Sequence, residues 1–128
     1  MDIPELIVAC VCLLAVFAHV LGGTRETAAI RPPQDNKKLT AHWIQAMCAF
    51  QMLAVDLLAV CLLLFAIALF DLGPNERTYV LILSILFFLW GVVWIIQVWW
   101  IKRAPQYLFR LPHWLVWFGC SGLLYWAV

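Results

Sequence analysis

Charge is what this sequence has least of. Lys, Arg, Asp and Glu make up 12 % of its 128 residues, about half the share of an average soluble chain. The formal net charge is only +1, so there is no electrostatic footprint for nucleic acid. No CxxC occurs among the five cysteines, Cys10, Cys12, Cys48, Cys61 and Cys120. An odd number, all inside apolar runs, excludes a disulfide framework and suits small, polarizable packing residues. HExxH, GxGxxG and the P-loop are absent, and Gly22-Gly23 reads as a helix end rather than a phosphate loop. A basic n-region is also missing: Asp2 and Glu5 stand where a signal peptide would carry Lys or Arg. No lipidation pattern and no internal repeat is visible, and without a repeat an inverted-repeat transporter within the chain is not supported.

Apolar residues fill the space that charge leaves. They reach 66 % of the chain, and the mean hydropathy is +0.97. A chain this short cannot bury so much apolar surface in its own core, so the excess faces lipid or protein. Four long apolar segments are evident, at about 3–21, 41–70, 79–101 and 112–128. Each is near the roughly 17–25 residues a helix needs to cross a bilayer. Backbone groups in hydrocarbon must pair within their own segment, which favours helices over strands. The expected fold is an all-α membrane protein, one four-helix transmembrane domain over 1–128. Residues 22–40 form its only long loop, with Pro32, Pro33, Asp35 and Asn36 arguing against a continuous helix. Gly73 and Pro74 mark a tight turn after the second span.

Positive charge sets the orientation. All the Lys and Arg except Arg77 fall in the first connection (Arg25, Arg31, Lys37, Lys38) or the third (Lys102, Arg103, Arg110). By the positive-inside rule that side is cytoplasmic and both termini face outward. Trp43, Trp94, Trp99, Trp100, Trp114 and Trp117 crowd towards the same side, as an interfacial belt would. A bacterial inner membrane is the expected location.

Polar residues inside the spans are the informative ones, because lipid makes them costly. Asp56 lies mid-span in the second helix. At about 100° per residue, His42, Gln45 and Asp56 fall within an arc of roughly 60°, with Ala46 and Ala49 on that side and Gln51 opposite. Glu5, Cys12 and His19 form a seven-residue stripe on the first helix. The two stripes together suggest an intramembrane polar seam of Asp56, His19, Gln45 and His42. Such a seam serves either interhelical hydrogen bonding or a proton-coupled site. His19, His42 and His113 are candidate metal or haem ligands by side-chain chemistry. Trp90, Trp94 and Gln97 share a face of the third helix, as packing residues or as the lining of a quinone, lipid or pigment pocket. No cofactor is required by the sequence; haem, quinone or a metal is what these residues could take. Gly119-Cys-Ser-Gly122 offers a small-residue contact face in the last helix.

Two families share part of this layout. Ala18-His-Val-Leu-Gly-Gly23, the Pro-containing loop and Leu111-Pro-His-Trp114 resemble small four-span bacterial membrane proteins without an assigned activity. That resemblance implies a compact four-helix fold. Length, the charged first loop and Ala41-His42 are similar to the MAPEG group, trimeric four-span enzymes of eicosanoid and glutathione metabolism. The Arg-Ala-His-x-Asn-x-x-Glu pattern of that group reads here Thr40-Ala41-His42-Trp43-Ile44-Gln45-Ala46-Met47. Its glutathione-holding Arg, Asn and Glu are not kept, so no catalytic residue is carried over. Small multidrug transporters place a Glu within the first span, whereas Glu5 lies at the outer end here and Asp56 is in the second span.

The leading functional expectation is a non-catalytic accessory or scaffolding subunit of a larger membrane complex. Its partners would be the bilayer and other integral subunits, or further copies of itself. A proton-coupled transporter or ligand-binding protein using Asp56 and His19 is the first alternative. A membrane enzyme or haem protein using His19 and His42 is the second.

Overall fold

A computed structural model describes residues 2–33 and 35–128. Among the described residues the secondary structure is helical, with no strand. Helix α1 (Ile3–Phe17) passes through a π-helical segment (Ala18–Gly23) into α2 (Thr24–Ala29). Helix α3 spans Lys37–Leu69, α4 Glu76–Lys102, α5 Gln106–Arg110 and α6 His113–Ala127. Three helices, Ile3–Ala29, Lys37–Leu69 and Glu76–Lys102, are long and apolar enough to cross a membrane. The 15 residues of α6 extend about 22 Å at 1.5 Å per residue, less than the roughly 30 Å of a hydrocarbon core.

The long loop expected over 22–40 is mostly helix. Gly22-Gly23 does not end the helix, although the pair costs about 2 kcal/mol relative to alanine. The wider π turn accommodates the pair, and the His19 carbonyl accepts both the backbone N–H of Thr24 and, at 3.4 Å, its Oγ1 hydroxyl. The true connection is short, 30–36, and Asn36 closes it. Its Oδ1 accepts from the backbone N–H of Leu39 at 3.0 Å, the bond by which an N-cap side chain satisfies a first-turn donor. Helix α3 therefore begins a turn earlier than hydrophobicity alone suggests.

The chain divides into two compact units, Ala9–Phe65 and Met1–Val8 with Ala66–Val128. In the first, Ala9, Cys12 and Val16 of α1 are buried, as are Ala54, Leu57, Cys61 and Leu64 of α3. Spacings of three and four put each set on one helical face. Cys61 Sγ donates to the Ala9 carbonyl at 3.6 Å, so this thiol serves packing and a weak cross-helix bond.

In the second unit, α6 packs along α4. Ser84 Oγ donates to the Ser121 carbonyl at 2.9 Å and lies 3.3 Å from Ser121 Oγ, both residues being buried. Phe87, fully buried, meets Trp90 edge-on at 5.3 Å and Trp117 at 5.9 Å. Gly91 allows the closest approach: a Cβ there would lie 2.6 Å from Cε1 of Phe118. Gly119 and Gly122, the expected contact face, have nothing within 4 Å of such an atom. At the α3–α4 turn, Gly73 takes φ 80° and its N–H donates to Asp71 Oδ1 at 2.8 Å. The N–H of Leu72 donates to Glu76 Oε2 at 3.2 Å, so both carboxylates organise the turn.

Candidate functional site

The first unit carries a ladder of polar contacts between the π–α2 stretch and the first half of α3. His19 Nε2 donates to the Phe50 carbonyl at 2.8 Å. A carbonyl only accepts, so this nitrogen carries a proton. The imidazole stacks on the Phe50 ring at 3.7 Å and 17°. Gly23 fits against the same ring, where a Cβ would come to 2.7 Å from Cζ. One turn on, Gln51 Nε2 donates to Thr24 Oγ1 at 2.8 Å. Trp43 Nε1 donates to the Thr27 carbonyl at 3.2 Å, and Arg31 lies over the Trp43 ring at 5.6 Å. The three hydrogen bonds are part-buried, and such bonds between membrane helices average about 0.6 kcal/mol.

Thr24, Thr27 and Gln51 were not among the sequence candidates. Thr24 and Thr27 lie in the stretch expected to be loop, and Gln51 lies opposite the expected seam. The signal that could have found them is the run of three- and four-residue spacings continuing past Gly23.

The remaining candidates lie elsewhere. His42 Nδ1 is 3.4 Å from Gln45 Oε1, on the exposed side of α3. Asp56 is exposed too and makes no hydrogen bond or ion pair among the described residues. Phe50 and Asp56 are about 120° apart around α3, so His19 and Asp56 address different faces of that helix. His113 is exposed and its ring lies 4.5 Å from that of Trp94, whose Nε1 donates to the Leu111 carbonyl at 3.1 Å. Trp90 belongs to the aromatic cluster with Phe87 and Trp117, and Gln97 is exposed. Among the described residues no three His, Cys, Asp or Glu gather as a metal site.

Among the described residues, Glu5 is the one acidic side chain that is fully covered. It is 4 % exposed, and its Oε2 has no partner among those residues. Glu5 shares its seven-residue stripe with Cys12, which is buried too. Two hollows lie in the second unit. One of about 440 Å³ lies between Ser84, Ile85, Phe88, Phe118, Ser121 and Tyr125; the other, of about 200 Å³, is bordered by Asp2, Asp71 and Glu76. No protein-family model, curated protein or solved structure matches the chain.

Proposed function

We propose that this protein is a small integral membrane subunit, non-catalytic, that acts as an accessory or scaffold within a larger membrane complex. The observation that carries this reading is the outward placement of polar groups on α3. His42, Gln45 and Asp56 are all exposed, and an Asp at the centre of a spanning helix costs about 2.5–3.5 kcal/mol on insertion scales. A neighbouring protein at that face removes the penalty. Large side chains on the other helices are similarly uncovered, among them Trp100 at 78 % and Trp126 at 87 %. Such surface serves lipid contact and helix packing alike.

In this reading the chain crosses the bilayer four times, with α6 as the fourth span. Its packing along α4 through Ser84, Ser121, Gly91 and Phe118 supports this assignment. Both termini lie on the non-cytoplasmic side, an orientation that rests on the Lys and Arg distribution, and the membrane is the bacterial inner one. The transport alternative asks His19 and Asp56 to share a site, and their different faces on α3 give it no support.

Native mass spectrometry of the tagged chain, released from its own membranes in mild detergent, tests the proposal. A complex of fixed stoichiometry with another integral protein is the expected result. A bare monomer, or a homo-oligomer carrying haem, metal or a small molecule, overturns it.

A further inference from the structure

The exposed side of α3 has a regular pattern. Gln45, Ala49, Met52, Asp56, Ala59 and Leu63 are all exposed and succeed one another at intervals of four, three, four, three and four. That spacing places them on a single stripe. Asp56 lies near its middle, about 28 Å of helix from Lys37 and about 20 Å from Leu69. A side chain as short as aspartate cannot reach either interface from there, unlike a snorkelling Lys or Arg. Its carboxyl has to be met at its own depth.

Among the described residues Asp56 makes no hydrogen bond or ion pair. Every Lys and Arg lies near a helix end or in a connection, and the nearest along α3, Lys38, is about 27 Å away. A second copy, related by a two-fold axis along the membrane normal, would bring Asp56 against Asp56, like charge against like. The complement is a cation on a different helix. Ala49 and Ala59 on either side of Asp56 permit close backbone approach, and Met52 adapts its shape to a neighbour. We propose that this stripe is the docking face for a transmembrane helix of another protein bearing a Lys or Arg at mid-bilayer depth. The proposal rests on the accessory-subunit reading and names the chemistry of the partner.

The test uses the full chain, carrying a donor fluorophore, in phosphatidylcholine vesicles. Acceptor-labelled polyleucine transmembrane peptides are added with one central Lys, one terminal Lys or none. The central-Lys peptide is expected to associate about tenfold or more tightly than the other two. Asp56→Asn abolishes that preference, and Asp56→Glu retains it. Met52→Trp, which blocks the stripe without touching charge, weakens association, whereas Leu58→Trp on another exposed face does not. Equal association of the three peptides, or a preference that survives Asp56→Asn, overturns the proposal. So does self-association of the chain that Asp56→Asn dissolves, which would make a second copy the occupant. Copurification from native membranes separates the two readings. A partner retained equally by wild type and Asp56→Asn sinks the docking face alone, while the absence of any partner sinks the accessory role.

Discussion

Gly91→Ala is the sharpest test of how α4 and α6 meet. The added Cβ would lie 2.6 Å from Cε1 and 2.8 Å from Cδ1 of Phe118, about 1 Å inside ordinary carbon–carbon contact. The ring borders the hollow of about 440 Å³, and moving into it disturbs its packing on Phe88 and Trp114, whose ring centroids lie 5.4 and 6.2 Å away. Overpacking of this kind costs about 1–3 kcal/mol. Ala also gains about 0.8–1 kcal/mol over Gly in helix propensity, so the net change is a loss of up to about 2 kcal/mol. Gly119→Ala and Gly122→Ala isolate the steric part, because they gain the same propensity and meet nothing within 4 Å. Gly91→Ala should therefore fall about 1–3 kcal/mol below those two controls. Equilibrium unfolding in mixed dodecylmaltoside and SDS micelles, followed by circular dichroism, reads the difference. Adding Phe118→Leu should recover most of it, as a positive coupling in the double-mutant cycle. If Gly91→Ala matched Gly119→Ala in stability, the close approach of α4 and α6 at this point would be refuted.

Other substitutions probe the polar ladder, the buried carboxyl and the end of α4. Gln51→Leu should lower stability by about 0.6 kcal/mol and Thr24→Val by more, since Thr24 also donates to the His19 carbonyl; the double variant should fall no further than Thr24→Val alone, because the Gln51 bond is already lost there, and the same micelle titration checks this. Gly23→Ala should disturb the His19–Phe50 stack, seen as a shift of the His19 ring resonances in NMR spectra, with a net loss of up to about 2 kcal/mol once the helix propensity of alanine is counted. Glu5→Met replaces a covered, unpartnered carboxyl by an apolar chain of similar size and should raise stability by about 1–3 kcal/mol; destabilisation would mean that Glu5 has a partner. Arg103 caps α4 at φ 47°, a left-handed conformation that costs a non-glycine residue about 1–2 kcal/mol. Arg103→Gly should stabilise the chain by up to that amount, read as a higher thermal midpoint in detergent.

The helical class and the three long apolar helices are legible in composition, because only helices satisfy the backbone in so apolar a chain. The turn at Asp71–Glu76 is equally plain, since Gly73 and Pro74 announce it. What fails is the reading of Gly22-Gly23 as a stop: glycine punctuates loops in water, yet a helix already committed by its apolar face passes through it. The close-packed glycine is likewise Gly91, inside an otherwise bulky run, rather than the conspicuous Gly119 and Gly122. Among polar residues, the spacing of His42, Gln45 and Asp56 fixes their common side of α3. The sequence does not say what that side faces, because lipid and core are equally apolar. The partner of His19 was beyond reach for a simpler reason: it is a backbone carbonyl, and every residue has one.

The π-helical segment sets a rule for which deletions the chain will bear. A π turn takes up one residue more than an α-helix needs, so the stretch beyond it keeps the phase it would have without that residue. Losing one residue from Ala18–Gly23 would leave a plain α-helix with Thr24 and Thr27 still turned to α3. Losing one from Ile3–Phe17 while the bulge remained would rotate the residues before the gap by about 100° relative to those after it. Length variation in this helix is thus absorbed at six positions, and those positions include the histidine that stacks on Phe50.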